Sequence, residues 1–347
     1  MKKLFILAAA IVAFASCSKD PETVINDGSI YFTNALTTRT TVVTDASSLQ
    51  KGFKVLGYAN DLEIFSNAEA TYASDKNAWT VSPVKYWANN TNYNFFALYS
   101  VNADYKFTNI TSTDKTSATL ASFTNTGDDD LVLAGRNITT DNGGKDRGAA
   151  ELVFKHALSR VKFSFKNDYS DTADNVATKI KVSDVKLIGQ VKTADVTITS
   201  AVNADDIPQN PALGTSTSAI TWSNIATTGT NLDFAFDAKD DSYGDGDKIA
   251  EQTTETTDYQ YIIPNTATYQ LACLIQVFDE NDNLIREFDK RASYIDVKVS
   301  GNDELKHIAG ESYNYTMNIT SDLNNITFTV AVEEWSDDEE RVIDFEK

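Results

Sequence analysis

Apolar residues in this chain recur at every second position. Ile326-Thr327-Phe328-Thr329-Val330-Ala331-Val332 places Ile326, Phe328, Val330 and Val332 on one face of an extended strand and Thr327, Thr329 and Ala331 on the other. That is the pattern of a sheet strand with one buried face. Val161-Lys162-Phe163-Ser164-Phe165 repeats it. No apolar stretch keeps a helical period of about 3.6 residues over three turns, so the chain is predicted to be all-β. The abundance of Thr, Asn, Tyr, Phe and Val, with only 15 Gly and 5 Pro, agrees with strands joined by polar turns.

Strands are predicted at Ser29 to Thr33, Phe53 to Ala59, Val81 to Trp87, Tyr93 to Ser100, Asp130 to Ala134 and Glu151 to Ala157. The second half begins again with Val161 to Phe165, a polar loop and Val182 to Ile188, the order of short strand, polar stretch and apolar strand that opens the first half. Further strands are predicted at Leu232 to Phe236, Tyr259 to Ile263, Gln270 to Phe278 and Leu284 to Asp289, with Asp279 to Asn283 as a hairpin tip. The chain thus reads as two related β-sandwich domains, residues 29–158 and 159–347, after a leader (1–16) and a linker (17–28).

The leader has a basic start at Lys2 and Lys3, an apolar run from Leu4 to Ser16, and Phe14-Ala15-Ser16-Cys17 at its end. It is a signal peptide, too short for a retained span. Its last four residues resemble a bacterial lipobox, which implies acylation of Cys17 and attachment to the outer membrane through lipid; the alternative is an ordinary secretory signal with an incidental cysteine. With Cys17 acylated, Cys273 has no partner for a disulfide, and its apolar setting predicts a small buried core residue.

The charge excludes one class of partner. Fifty Asp and Glu against 30 Lys and Arg leave a net charge of −20, and the cations are scattered, so a nucleic-acid phosphate backbone has nothing to neutralise it. Metal, phosphate-loop and nucleophile-elbow motifs are absent, and no cofactor or metal is implied. His156 and His307 are the only histidines, and neither lies in a catalytic setting; His156 is predicted to be structural, at a strand end. Acidic runs such as Asp128-Asp129-Asp130 lack calcium-loop spacing and are predicted to be solvated turns.

Several segments together resemble the fimbrillins, the Mfa-like subunits of type V pili. They are Ser29-Ile30-Tyr31-Phe32-Thr33 with Leu36 to Thr40, Lys85-Tyr86-Trp87 to Tyr99, Asp130 to Ala134, Phe154 to Val161, Ala309 to Thr316, and Ile326 to Val332 with Trp335. The resemblance implies an exported lipoprotein of two tandem transthyretin-like β-sandwiches. It implies an arginine-specific protease that removes an N-terminal strand, and a neighbouring subunit's C-terminal strand that fills the vacated groove. On this chain the removable strand carries Ile30 and Phe32, the scissile bond lies between Arg39 and Thr40, and the donor region starts at Ile326, including Phe328, Val330 and Val332. The charged stretch Ser336 to Arg341 precedes Val342-Ile343-Asp344-Phe345, which leaves open whether Ile326 to Val332 or the last residues act as donor.

Three functions compete at this point. The first is a stalk or tip subunit of a pilus, joined to other subunits by strand exchange and mediating adhesion. The second is a monomeric surface-anchored module binding a glycan or host receptor through aromatic loops, for which Trp79, Trp87 and Trp222 are the candidates, although each also fits a sandwich core. The third, a secreted hydrolase, has no motif behind it, and the chain is not expected to be an enzyme.

Overall fold

The computed structural model describes residues 27–34, 52–100, 104–108, 115–141, 148–169, 178–200, 220–226, 229–236, 249–250, 254–264, 269–297, 307–321 and 328–334. Among these residues every regular element is a strand, and no helix is long and apolar enough to cross a membrane.

The first half builds one eight-stranded sheet. In spatial order it runs β8 (Ala150–Leu152), β1 (Phe32–Asn34), β4 (Ala78–Val81), β3 (Leu62–Ala73), β2 (Phe53–Ala59), β5 (Asn92–Ser100), β7 (Leu131–Thr139) and β9 (Lys155–His156). Phe32, Phe53, Val55, Phe65, Trp79, Trp87, Tyr93, Phe95 and Phe154 form a core on one face of it. The other face of β2, β5 and β7 carries Leu56, Tyr58, Phe96, Leu98, Leu131 and Leu133, and these belong to a second core. Burial on both faces explains why these strands read as nearly continuous apolar runs such as Phe95-Phe96-Ala97-Leu98.

The layer covering that second face comes from both halves of the chain. It is a three-stranded sheet in the order β13 (Ile220–Ser223), β12 (Thr193–Thr199), β6 (Ser117–Thr124). Leu120 and Phe123 of β6 join Ala194, Val196 and Ile198 of β12 in its core. The expected partition at residues 158–159 therefore does not divide the sheets: β12 and β13 follow the break in sequence yet pair with β6, which precedes it. Lys192 alone separates β12 from β11 (Lys179–Val191), the long strand that feeds it.

The remaining strands form a sandwich around a third core. One sheet has β16 (Thr254–Thr256), β10 (Ser159–Asn167), β21 (Glu311–Ile319) and β22 (Phe328–Glu334) in order, with β17 (Gln260–Ile262) also paired to β10. The other has β14 (Gly229–Asp233), β11, β18 (Gln270–Phe278) and β19 (Leu284–Asp289), with β15 (Ile249–Ala250) on β11 and β20 (Ile295–Asp296) on β18. Phe163, Phe165, Ile180, Val182, Leu271, Ile275, Tyr315 and Met317 meet between them.

Most predicted strands are present, but β1 is regular only over Phe32–Asn34 rather than from Ser29, β14 ends at Asp233 rather than Phe236, and two others differ further. Val81 to Trp87 is not one strand, because β4 stops at Val81 before the cis Ser82–Pro83 peptide, and Pro83 has no amide to continue a ladder. Glu151 to Ala157 is split into β8 and β9, on opposite ends of the sheet path. The Asp279 to Asn283 tip is as expected: the Asp279 carboxylate accepts hydrogen bonds from the Asn281 and Asn283 amides, closing the β18–β19 turn. Cys273 is fully buried, and burial pushes its thiol up to about 12.

Candidate functional site

The N-terminal segment lies between two elements that it does not adjoin in sequence. Trp87 donates its amide to the Gly28 carbonyl at 3.0 Å, Ser29 bridges Tyr86, and Ile30 donates to the Lys85 carbonyl at 2.7 Å. Farther along, Phe32 pairs with Trp79 of β4. On the opposite side Ala150 donates to the Tyr31 carbonyl at 2.8 Å, and Phe32, Thr33 and Asn34 pair in parallel with Ala150, Glu151 and Leu152 of β8. The segment therefore fills a slot between residues 79–87 and β8.

Alternation decides what enters the core. Ile30 and Phe32 are 3% and 0% exposed. The Phe32 ring meets Phe95 at 5.3 Å between centroids, Phe65 at 6.2 Å and Phe53 at 6.3 Å, all edge-on. Burying two such side chains contributes roughly 1.5–3 kcal/mol each. Where the chain enters, the Asp27 carboxylate accepts the Ser29 amide at 2.8 Å, and bonds from Ser29 hold Asp27 below the usual carboxylate range.

At the other end of the chain, β22 is the terminal strand of its sheet and pairs only with β21 among the described residues. Phe328 is fully buried against Met317, and Val330 is half-buried on the same core. Val332, on the same face, is 45% exposed rather than seated in a pocket, because no described strand flanks β22 on its outer side. Thr329 points to solvent, so the strand's register is the one the alternation predicts. Cys17, Arg39, Thr40 and Ile326 lie outside the described residues.

The structure places the other singled-out residues in the scaffold. Trp79 and Trp87 are 5% and 4% exposed, and half-buried Trp222 donates its indole N–H to the Ala157 carbonyl at 3.0 Å. None of the three is part of an exposed aromatic loop. His156 Nδ1 lies 2.7 Å from Asp130 Oδ2, at the β7–β9 edge. Asp128 accepts from the Gln260 amide, and Asp129 from the Thr126 hydroxyl. Among the described residues no three His, Cys, Asp or Glu side chains group so that they could hold a metal ion.

Among the longer strands, sequence reasoning missed β3, β6, β12 and β21. Asn67, in β3, has φ +47°, and its side-chain amide and carbonyl clamp the Phe107 backbone at 2.9 and 2.8 Å.

Comparison with known proteins agrees with this architecture. Residues 33–335 match the model of the fimbrillin-like family, and the chain belongs to that family. A fimbrial protein from Bacteroides vulgatus has a similar solved structure, at a TM-score of 0.60 and 15% identity over 89% of this chain and 99% of that one. The fimbrial anchor protein Mfa2 from Porphyromonas gingivalis is more distant, with a TM-score of 0.35 and 12% identity over 88% and 97% of the two chains. Only the first is near enough to bear on the fold. No curated protein matches the chain.

Proposed function

We propose that this chain is a subunit of a surface pilus that serves adhesion, exported as an outer-membrane lipoprotein through Cys17 and polymerised by strand exchange. The observation that carries this reading is the slot around Ile30 and Phe32. The segment that fills it is the first one described, and β2, the next described strand, stands three places away in the sheet. Arg39 lies between them in sequence. Cleavage after Arg39 by an arginine-specific protease would free the segment without cutting any described strand. A C-terminal strand of another subunit then replaces both ladders and both apolar side chains, by the chemistry of strand addition at an open edge. Membership of the fimbrillin-like family supports the same reading.

The test is Arg39→Ala in cells. The variant is expected to accumulate as a folded, unpolymerised precursor, while wild-type protein sheared from the surface starts at Thr40. Pili of normal length in Arg39→Ala cells would favour a monomeric, lipid-anchored receptor-binding module instead.

A further inference from the structure

Along β10 the residues alternate between core and surface. Val161, Phe163 and Phe165 enter the C-terminal core, so Arg160, Lys162, Ser164 and Lys166 lie on the outer face of the sheet. Three cations on one strand stand out in a chain of net charge −20. Lys166 is paired with Asp168 at 2.9 Å. The other two converge on one half-buried ring: Arg160 Cζ lies 4.3 Å and Lys162 Nζ 4.4 Å from the Tyr259 centroid. Arg160 also donates from Nε to the Ser312 hydroxyl at 3.1 Å. For Lys162 the Tyr259 ring is the only partner among the described residues, and its neighbours in register across the sheet are Asn314 and then Ala331, neither of them acidic.

Asn314 adds a second donor beside Lys162. The Ser164 hydroxyl donates to Asn314 Oδ1 at 2.9 Å, which leaves the Asn314 amide nitrogen without a hydrogen-bond partner among the described residues. The patch thus offers an ammonium and an amide N–H side by side, next to a guanidinium. A group that only accepts hydrogen bonds and carries negative charge, a carboxylate, complements it. Two further features select the molecule that bears the carboxylate. Around Lys162 the outer face is built of Ser164, Thr256, Asn314 and Thr316, with Ala331 as its aliphatic residue, and so lacks the apolar centre of a protein interface. The acidic excess of the whole chain repels a long polyanion. We infer that Lys162, Asn314 and Arg160 form a binding site for a carboxylated sugar in an otherwise uncharged glycan, with the neighbouring hydroxyls available to the sugar's own. This gives the adhesive role a ligand class, and it holds whether or not subunits polymerise.

Calorimetric titration of the full mature chain with 3′-sialyllactose and with trigalacturonate tests it. At least one of the two is expected to bind, and lactose, which has no carboxylate, should bind about tenfold more weakly or worse. Lys162→Gln should weaken the acidic sugar about tenfold, and so should raising the salt from about 50 to about 500 mM. Lys166→Gln, four residues along the same strand and already paired with Asp168, should leave affinity within about twofold of wild type. Failure of both acidic sugars to bind would overturn the proposal, as would equal binding of lactose or an unchanged affinity in Lys162→Gln. Tighter binding of a triglutamate peptide than of either sugar would overturn it in favour of an acidic protein segment.

Discussion

At the scale of single residues, the most consequential environment is that of His307. It is 2% exposed, with the Tyr269 and Tyr313 rings edge-on at 4.3 Å between centroids and its Nε2 in a 2.8 Å hydrogen bond with the Tyr315 hydroxyl. Burial disfavours the imidazolium and pushes its pKa down to about 3, from the ordinary imidazole value of about 6.5. The sign follows from which state takes up the proton. Below pH 6.5 the unfolded chain protonates this histidine and the folded chain does not, so stability is full above pH 6.5 and falls toward pH 3. One proton corresponds to about 1.4 kcal/mol per pH unit in that window. His307→Gln can keep a hydrogen bond to Tyr315 and has no proton to gain. Its unfolding free energy in urea should therefore fall less between pH 7 and pH 4.5 than that of the wild type, by about 2 kcal/mol or more. Parallel curves for the two proteins would mean that the imidazole is accessible to protons in the folded state.

At the scale of elements, β22 gives a direct test of register. Phe328 is fully buried and Thr329, its neighbour, is exposed. Phe328→Asp puts a carboxylate without a partner against Met317, at a cost of several kcal/mol. Thr329→Asp leaves its carboxylate in water and should shift the melting temperature little. A reversal of the two outcomes would show the strand slipped by one residue. That contrast was legible in the sequence because period-two alternation states which face is buried. Ile30 and Phe32 were legible in the same way, but not the strands that flank them: β8 lies more than a hundred residues away, and nothing local announces a parallel partner. The strand predicted over Val81 to Trp87 failed because alternation continues through Pro83 while the ladder cannot. β3 was missed because Ser66, Asn67 and Glu69 dilute its apolar positions, and the Asn67 side chain bonds to Phe107 rather than to its own strand neighbours. β12 alternates clearly over Ala194, Val196 and Ile198; what the pattern could not convey is that its partner β6 precedes it by some seventy residues, in the other half of the chain.

At the scale of the whole molecule, the crossing from β11 to β12 changes what a domain means here. β11 belongs to the C-terminal sandwich and β12 to the layer over β2, β5 and β7, with one residue between them. Tyr261 of β17 and Ile263 just after it also reach into the core that β12 helps form, while Ile262 packs in the C-terminal core. Neither half can lose its strands without disturbing the other, so the two should unfold together. Gly135 is the position that tests this coupling. It faces β12 from β7, and a Cβ there would overlap the Thr199 carbonyl oxygen, a backbone atom that can move only if β12 lifts from the sheet. Gly135→Ala should therefore destabilise the protein by roughly 1–3 kcal/mol, the usual range for overpacking a core. The loss should appear in both halves. Urea unfolding followed through Trp79 and Trp87 in the first half, and through exchange protection of β18 and β21 in the second, should give one coincident transition, displaced equally by the substitution. Two separate transitions, with only the first moved by Gly135→Ala, would mean that the β11–β12 crossing joins two independent units and transmits nothing between them.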